Sequence, residues 1–352
     1  MSAVPDYPLP DEAIAQRPLE PRDAARLLVA IDPSAAPEHR HVRDLSALVG
    51  PGDVVVINTS RVLPARLHLR KRTGGAAEVL LLEADPGGGD GMWIALVRPG
   101  RRLAPGTVLT ATDGGEGVVE IGARLTGGRR AVRLLDGDAL ATVGQVPLPP
   151  YIHEPLADPE RYQTVYADLP GSVAAPTAGL HLTEAVLDCC RERGAVIEAV
   201  DLAVGLGTFR PLSAADVESH VMHVERYRVE PRTMEACRAA RRVIAIGTTT
   251  TRALETAAAT GALQGRSDLY IHGDYPFALV DVLLTNFHQP RSSLLVLLES
   301  FCGPRWRDLY ECALMAGYRF LSFGDAMIVA RRAAEGSVAR RAAEGSVARR
   351  AG

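Results

Sequence analysis

The chain has 352 residues, 47% of them apolar, and a formal net charge of −3. That length exceeds one ordinary domain and that apolar fraction supplies sizeable cores, so two domains are expected. The charge argues against indiscriminate nucleic-acid binding, though a sum over the chain hides local fields; the five scattered cysteines hold no paired Cys-x-x-Cys elements for a metal, and no run approaches the roughly 20 apolar residues of a membrane helix.

The segment from Met1 to Glu12 is rich in proline and carries Asp6 and Asp11 before any apolar run, unlike the basic and then apolar order of a signal peptide. With the cysteines read as reduced thiols, a soluble cytoplasmic protein is expected. Asp53-Val54-Val55-Val56-Ile57 reads as a buried strand. From about Pro64 to Val146 the texture is short apolar runs, Val79 to Leu82, Trp93 to Val97, Val118 to Ile121 and Val132 to Leu135, separated by glycine-rich turns such as Asp113-Gly114-Gly115. Such spacing leaves no room for long helices and predicts a small antiparallel barrel or sandwich. Arg61, Arg66, Arg70, Lys71 and Arg72 crowd together there, followed by Arg98, Arg101 and Arg102, then Arg129, Arg130 and Arg133. Sharing one face, they form a positive surface for phosphates; otherwise they are solvated strand and turn residues.

After Pro147 helical patterns alternate with β-branched runs, the grammar of an α/β fold. Thr183 is placed to cap a helix with Val186, Leu187 and Cys190 on one side and Gly194 ending it, and a strand follows at Val196 to Val204. A helix near Thr233 to Arg242 leads into a strand at Val243 to Ile246, then Gly247-Thr248-Thr249-Thr250-Thr251 and a helix from Arg252. The expected architecture is a mixed α/β domain, residues 1–63 and 147–330, with an inserted β-barrel at 64–146. The tail, 331–352, repeats Arg-Arg-Ala-Ala-Glu-Gly-Ser-Val-Ala and carries no assigned chemistry.

Three segments carry chemistry. The strand, Gly-Thr-Thr-Thr-Thr, helix arrangement puts N–H groups and hydroxyls at a helix start, suited to a carboxylate, phosphate or ribose hydroxyl. His220-Val221-Met222-His223-Val224-Glu225 offers two imidazoles and a carboxylate; no further ligand has metal spacing, so acid/base work or hydrogen bonding is expected and metal is not. Asp281, Asn286 and His288 cluster around the end of the apolar run Leu279 to Leu284, where α/β sheets gather ligands.

The order of these segments resembles one family. Asn58 to Arg66, Val146 to Ile152, Arg161 to Tyr166, Ala174 to His181, Gly205 to Pro211, His220 to Glu225, Gly247 to Glu255, Leu284 to His288 and Tyr318 to Met327 are similar, in order, to the S-adenosylmethionine:tRNA ribosyltransferase-isomerases. The resemblance runs from about Asp6 to Val329 and implies an α/β domain with an inserted barrel. It also implies transfer and isomerisation of the ribosyl part of S-adenosylmethionine onto 7-aminomethyl-7-deazaguanine in tRNA, releasing adenine and methionine. S-adenosylmethionine is then a consumed donor and no other cofactor is expected; the partners are that tRNA and the donor, with no membrane, and the protein is expected to be a monomer.

Such chemistry needs a base at the ribose 5′ carbon, a proton donor to adenine, and groups holding the methionine carboxylate and ribose hydroxyls. At the matching positions, His181, His223, Glu225 and His288 are assigned to acid and base work. Thr248, Thr249 and Arg252 are assigned to anionic or hydroxyl groups, and Asp281, Asn286 and Asp325 to orienting their neighbours. Arg61, Arg66, Arg70, Lys71, Arg72 and Arg98 become candidate tRNA contacts. The chain departs from the family at Gly273-Asp274, where Pro-Gly is usual, at Ala278, where a basic residue is common, and at Gln289 and Glu299. These keep two other readings in play: ribosyl transfer to a different acceptor, and a non-catalytic RNA-binding relative.

Overall fold

A computed structural model describes residues 4–85, 87–205, 212, 217–218, 220 and 222–332. The repeated tail beyond Arg332 and the part of the Gly205 to Pro211 motif after Gly205 lie outside the described residues.

The strands in chain order are β1 (Arg26–Ala30), β2 (Glu38–His41), β3 (Asp53–Asn58), β4 (Ser60–Val62), β5 (Arg66–Lys71), β6 (Ala76–Ala84), β7 (Met92–Arg98), β8 (Val108–Ala111), β9 (Gly117–Arg124), β10 (Arg129–Leu134), β11 (Gly144–Gln145), β12 (Leu169–Ser172), β13 (Val196–Leu202), β14 (Glu225–Val229), β15 (Arg242–Ile246), β16 (Gln264–Ser267), β17 (Val282–Asn286) and β18 (Ala326–Ala330). The helices are α1 (Ala139–Thr142), α2 (Glu184–Glu192), α3 (Pro231–Ala239), α4 (Thr248–Thr260), α5 (Ser293–Cys302) and α6 (Trp306–Met315).

The larger unit is a nine-stranded mixed sheet in the order β16-β14-β13-β3-β15-β17-β18-β1-β2. At its centre β13, β3, β15 and β17 run parallel. All six residues of β3 are buried, as its unbroken apolar run requires of a strand covered on both faces. Val54 and Val56 point to one face, with Met234 and Cys237 of α3, Leu254 of α4 and Leu298 of α5; Val55 and Ile57 point to the other, with Val186, Leu187 and Cys190 of α2. Burial of each such Val, Leu or Ile contributes about 1.5–3 kcal/mol. The Thr183 side chain accepts from the Val186 N–H at 3.3 Å, and Gly194 ends that helix region at φ 88°, both as the sequence predicts.

The smaller unit is a closed barrel. β5, β6, β7, β10, β9 and β8 pair antiparallel in that order and β8 returns to β5 through Leu69 and Ala111, while β11 extends β5. Alternation along β5 sends Leu67 and Leu69 inward and leaves Arg66, His68 and Arg70 outside. The barrel is inserted between β4 and β12, which pair in parallel beside it, and Val173 just after β12 packs into the barrel core. An Arg266–Glu83 ion pair at 3.0 Å ties the sheet edge to the barrel.

Candidate active site

The carboxyl ends of β13, β3, β15 and β17 meet at one edge of the sheet, where open α/β sheets bind ligands. Asn58 finishes β3 there. Its Nδ2 donates to the Leu202 carbonyl at 3.0 Å and lies 3.4 Å from Thr249 Oγ1, and its Oδ1 accepts from the N–H groups of Ser60 and Leu202, each at 3.1 Å. An amide closing an otherwise apolar strand was a readable signal, yet Asn58 was not among the sequence candidates.

Gly247, at φ 92°, turns the chain from β15 into α4. The helix begins at Thr248, a turn earlier than the Arg252 start read from the sequence, because the threonines themselves form its first turn. The hydroxyls of Thr250 and Thr251 donate to the Ile246 and Gly247 carbonyls at 2.7 and 3.2 Å. With glycine at the N-cap there is no side-chain cap, so the first N–H groups, on Thr248 and Thr249, have no acceptor within the helix and carry the positive end of its dipole.

Arg252 and Glu225 require a correction. Placed by sequence in separate roles, they form one buried ion pair, Nη1 on Oε2, with side chains 4% and 3% exposed. Glu225 Oε1 accepts from the Gly205 N–H at 2.8 Å and Arg252 Nε donates to the Leu269 carbonyl at 3.1 Å. Both carboxylate oxygens thus face donors, and Glu225 stands as the counter-ion of Arg252. Arg252 keeps one outlet: its Nη2 is buried with no partner among the described residues.

His181 ends a 3-10 turn, Thr177–His181, and is buried. Its Nε2 is 2.8 Å from Asn286 Nδ2, which also donates to the Leu321 carbonyl at 3.2 Å. That carbonyl fixes the amide with nitrogen toward the ring, so Nε2 accepts and the neutral imidazole carries its proton on Nδ1. Burial first, then the Arg319 and Arg22 charges, lower the His181 pKa to about 3. His288 is likewise buried, with Nε2 2.9 Å from Thr285 Oγ1, and burial lowers its pKa to about 3. Both rings are therefore neutral at pH 7. Asn286 Oδ1 is buried and has no partner among the described residues.

Three other sequence candidates are placed elsewhere or otherwise. His223 is exposed and lines neither cleft described below, while His220 packs edge-on against Tyr270, which stacks on His272. Asp281 is at the wrong end of β17 and is corrected: the strand covers Val282–Asn286, so Asp281 precedes it, roughly 16 Å from Asn286 at strand spacing. Its carboxylate accepts from the Val243 N–H at 2.9 Å and pairs with Arg331 at 3.4 Å, clamping the amino end of the sheet. The Asp325 carboxylate accepts from the N–H groups of Arg26 and Arg319, each at 2.8 Å, and so shapes the 318–325 loop.

Two open clefts flank the His181–Asn286 bond. One is lined by Tyr151, Thr177, Asn286, His288, Gln289 and Ser322 among others. The second, shallow, includes Arg22, Arg161, His181, Arg319 and Ser322. These three arginines come from distant parts of the chain, and no local signal in the sequence joins them.

On the barrel, Arg66, Arg70 and Arg98 share an outer face, with His68, Glu78 and Arg98 in register across β5, β6 and β7. Arg66 pairs with Glu78 at 3.3 Å and Arg61 with Glu160 at 2.5 Å. Arg70, Arg72 and Arg98 are exposed and Lys71 half-buried. Arg130 is corrected from a surface charge to a buried strut that donates to the carbonyls of Gly100, Leu103 and Gly122.

An α/β sheet with neutral imidazoles, an open helix start and clefts at its strand carboxyl ends, carrying an inserted barrel, has the build of a two-part ligand-converting enzyme. The profile of the family described as queuosine biosynthesis protein matches residues 4–329. A protein of Rubrobacter xylanophilus named S-adenosylmethionine:tRNA ribosyltransferase-isomerase is 49% identical over 327 residues, covering 92% of this chain and 96% of the relative. One of the same name from Heliobacterium modesticaldum is 47% identical, covering 93% and 99%. The crystal structure of S-adenosylmethionine tRNA ribosyltransferase from Thermotoga maritima is 34% identical, covers 92% of this chain and 99% of its own, and superposes with a TM-score of 0.52. The chain belongs to the queuosine biosynthesis protein family and is an enzyme of it.

Proposed function

We propose that the protein transfers and isomerises the ribosyl moiety of S-adenosylmethionine onto the aminomethyl group of 7-aminomethyl-7-deazaguanine in tRNA, giving epoxyqueuosine-tRNA, adenine and methionine. The observation that carries this reading is the meeting of five motif residues, Thr248, Thr249, His181, Asn286 and His288, at one sheet end beside an open cleft.

In this reading His288, neutral and lining the cleft, takes the proton from the ribose 5′ carbon, which the adjacent sulfonium acidifies. The departing adenine receives a proton, the tRNA amine adds to the unsaturated sugar, and methionine leaves as the epoxide closes. Thr248 and Thr249 offer N–H groups and hydroxyls to the ribose or the methionine carboxylate, and Asn286 Oδ1 accepts a donor of the substrate. Asn286 positions His181, and Glu225 positions Arg252 so that Nη2 faces a ligand group. S-adenosylmethionine is the consumed donor in this scheme, and no other cofactor enters it. The exposed Arg70, Arg72 and Arg98 and the half-buried Lys71 serve the tRNA backbone, together with Arg61 and Arg66 once their acidic partners yield.

Two departures that favoured another acceptor lose force. Asp274 pairs with Arg332 at 2.5 Å and Glu299 with Arg307 at 2.9 Å, so neither carries an uncompensated negative charge toward RNA. The reading includes a cytoplasmic setting, where thiols such as the buried Cys190 and Cys237 stay reduced, and action as a monomer.

The test is adenine and methionine release from S-adenosylmethionine by the purified protein, with and without tRNA bearing the aminomethyl base, followed by nucleoside mass analysis. Release that requires this tRNA and yields epoxyqueuosine is expected. Release independent of tRNA would instead establish another acceptor, and no release would leave a binding protein.

A further inference from the structure

The second cleft gathers more positive charge than the ribosyl donor calls for. Arg22 donates to the Gln163 and Glu160 carbonyls at 2.5 and 2.9 Å, Arg161 to the Leu19 carbonyl, and Arg319 to the Arg17 and Phe323 carbonyls at 3.2 and 2.9 Å. A carbonyl fixes a guanidinium in place without cancelling its charge. The one ion pair these three make among the described residues is Arg161 with Glu20 at 3.3 Å, and the Glu20 side chain is 78% exposed. Asp325 lends Arg319 some field, but its oxygens already accept from two backbone N–H groups.

The charges act on one another. Burial lowers the pKa of Arg22 and of Arg319, and Arg161 pushes that of Arg22 lower still, against the opposing fields of Glu20, Asp158 and Glu160. Like charges held together in a half-buried cleft cost stability, and an anion seated among them offsets that cost.

The chemistry of the anion can be narrowed. The carboxylate of S-adenosylmethionine is accompanied by an ammonium and a sulfonium, so that ligand is a net cation, which three guanidinia repel. A phosphodiester brings no companion cation, and guanidinium forks match its oxygens. The turn that supplies Arg161, Pro159–Tyr162, also supplies Glu160, the partner of Arg61 on the strand leading into the barrel. The cleft thus lies next to the route by which the chain passes into the barrel.

We propose that Arg22, Arg161 and Arg319 form a seat for a backbone phosphate of the tRNA, on the far side of the His181–Asn286 bond from the ribosyl-transfer cleft. The source of the phosphate rests on the functional reading above; the anion seat does not. A seated phosphate also opposes the two arginine fields that bear on His181, linking arrival of the acceptor to the state of that ring.

Two measurements test this. First, the full chain is titrated with inorganic phosphate at constant ionic strength while the His181 ring resonance is followed by NMR. A saturable shift is expected, lost in Arg161→Gln and largely kept in Arg319→Lys, which retains a charge; no saturable shift in the unmodified protein overturns the seat. Second, tRNA affinity over a salt series and S-adenosylmethionine affinity by calorimetry are compared for the unmodified protein and Arg161→Gln. About a tenfold loss in tRNA affinity with a salt slope smaller by about one is expected, the donor affinity staying unchanged. Unchanged tRNA affinity and slope overturn the phosphodiester assignment even where phosphate shifts His181, and an equal loss in donor affinity overturns it in favour of the methionine carboxylate. If ribosyl transfer to tRNA proceeds while these outcomes go against the seat, this proposal fails alone. If the unmodified protein binds no tRNA, the functional reading and the phosphodiester assignment fall together.

Discussion

The two ends of the central sheet are built from similar residues to opposite effect. At the amino end Asp53 is buried and pairs with Arg241 and Arg242 at 2.8 and 2.6 Å, and Asp281 holds Arg331 and the Val243 N–H. At the carboxyl end stand Asn58, Asn286, Thr248 and Thr249, with Asn286 Oδ1 and Arg252 Nη2 left without partners among the described residues. Charges closed on one another hold strands together at the amino end; at the carboxyl end Asn58 and the Arg252–Glu225 pair do the same, but Asn286 Oδ1 and the first N–H groups of α4 are left over. A buried polar atom without a partner costs stability, and of Asn286 and Arg252, Asn286 lines the cleft that also holds His288.

The sharpest way to break this contrast is to disturb each end in turn. Asp53→Ala strands Arg242, which is largely buried, and Arg241 at the amino end. About 3 kcal/mol of unfolding stability is expected to be lost, read by urea denaturation, with kcat of the surviving folded enzyme close to normal. Asn286→Leu at the carboxyl end removes the acceptor Oδ1 and the partner of His181. Turnover is expected to fall on the order of 10²-fold, with a smaller effect on stability. A mutant Asn286→Leu that turns over normally, or an Asp53→Ala enzyme that is folded but inactive, would erase the distinction between the ends.

Much of this arrangement was legible in the chain and part of it was not. β3, β15, α2 and the barrel strands follow from apolar runs and turn residues, which are local. The end of the sheet to which a polar residue belongs is not local: the apolar run Leu279 to Leu284 starts three residues before β17, and that offset moved Asp281 from the cleft to the opposite edge. Glu225 and Arg252 each looked like a functional residue because a sequence shows charges singly, whereas their pairing depends on β14 and α4 meeting in space. The Arg22, Arg161 and Arg319 cleft is the extreme case, assembled from three segments with nothing in common but their destination.

The histidines sharpen the comparison through pH. Burial lowers the pKa of His181 and His288 from 6.5 to about 3, so between these values the unfolded chain binds protons that the folded chain refuses. Stability from this source is complete above pH 6.5 and is lost as pH falls toward 3, with a slope of about 1.4 kcal/mol per pH unit for each ring. Carboxylates titrate in the same range, so the difference between proteins is the useful quantity. His288→Gln is expected to flatten the stability curve between pH 6 and pH 4 by about that slope relative to the unmodified protein, measured by urea denaturation at fixed ionic strength. Parallel curves would show that the carboxyl end accepts a proton on His288 in the folded state.

The smallest effect is expected on the outer face of the barrel, where charge is paired but only partly buried. His68, Glu78 and Arg98 stand side by side on its outer face, and Arg66 leans on Glu78 at 3.3 Å with both side chains only about a quarter exposed. In the proposed tRNA-facing patch an acid repels phosphate and occupies a guanidinium that would otherwise reach it. Glu78→Gln removes both restraints while keeping the shape of the side chain, so tRNA is expected to bind a few-fold tighter at low salt, with a salt slope steeper by up to about one. The gain should fade as salt rises, because an outer-face contact is screened in a way that the buried Arg252–Glu225 pair is not. If affinity is indifferent to Glu78 at low salt, the tRNA does not cross β5, β6 and β7, and the positive contribution of the barrel must come from the β5–β6 turn at Lys71 and Arg72 instead.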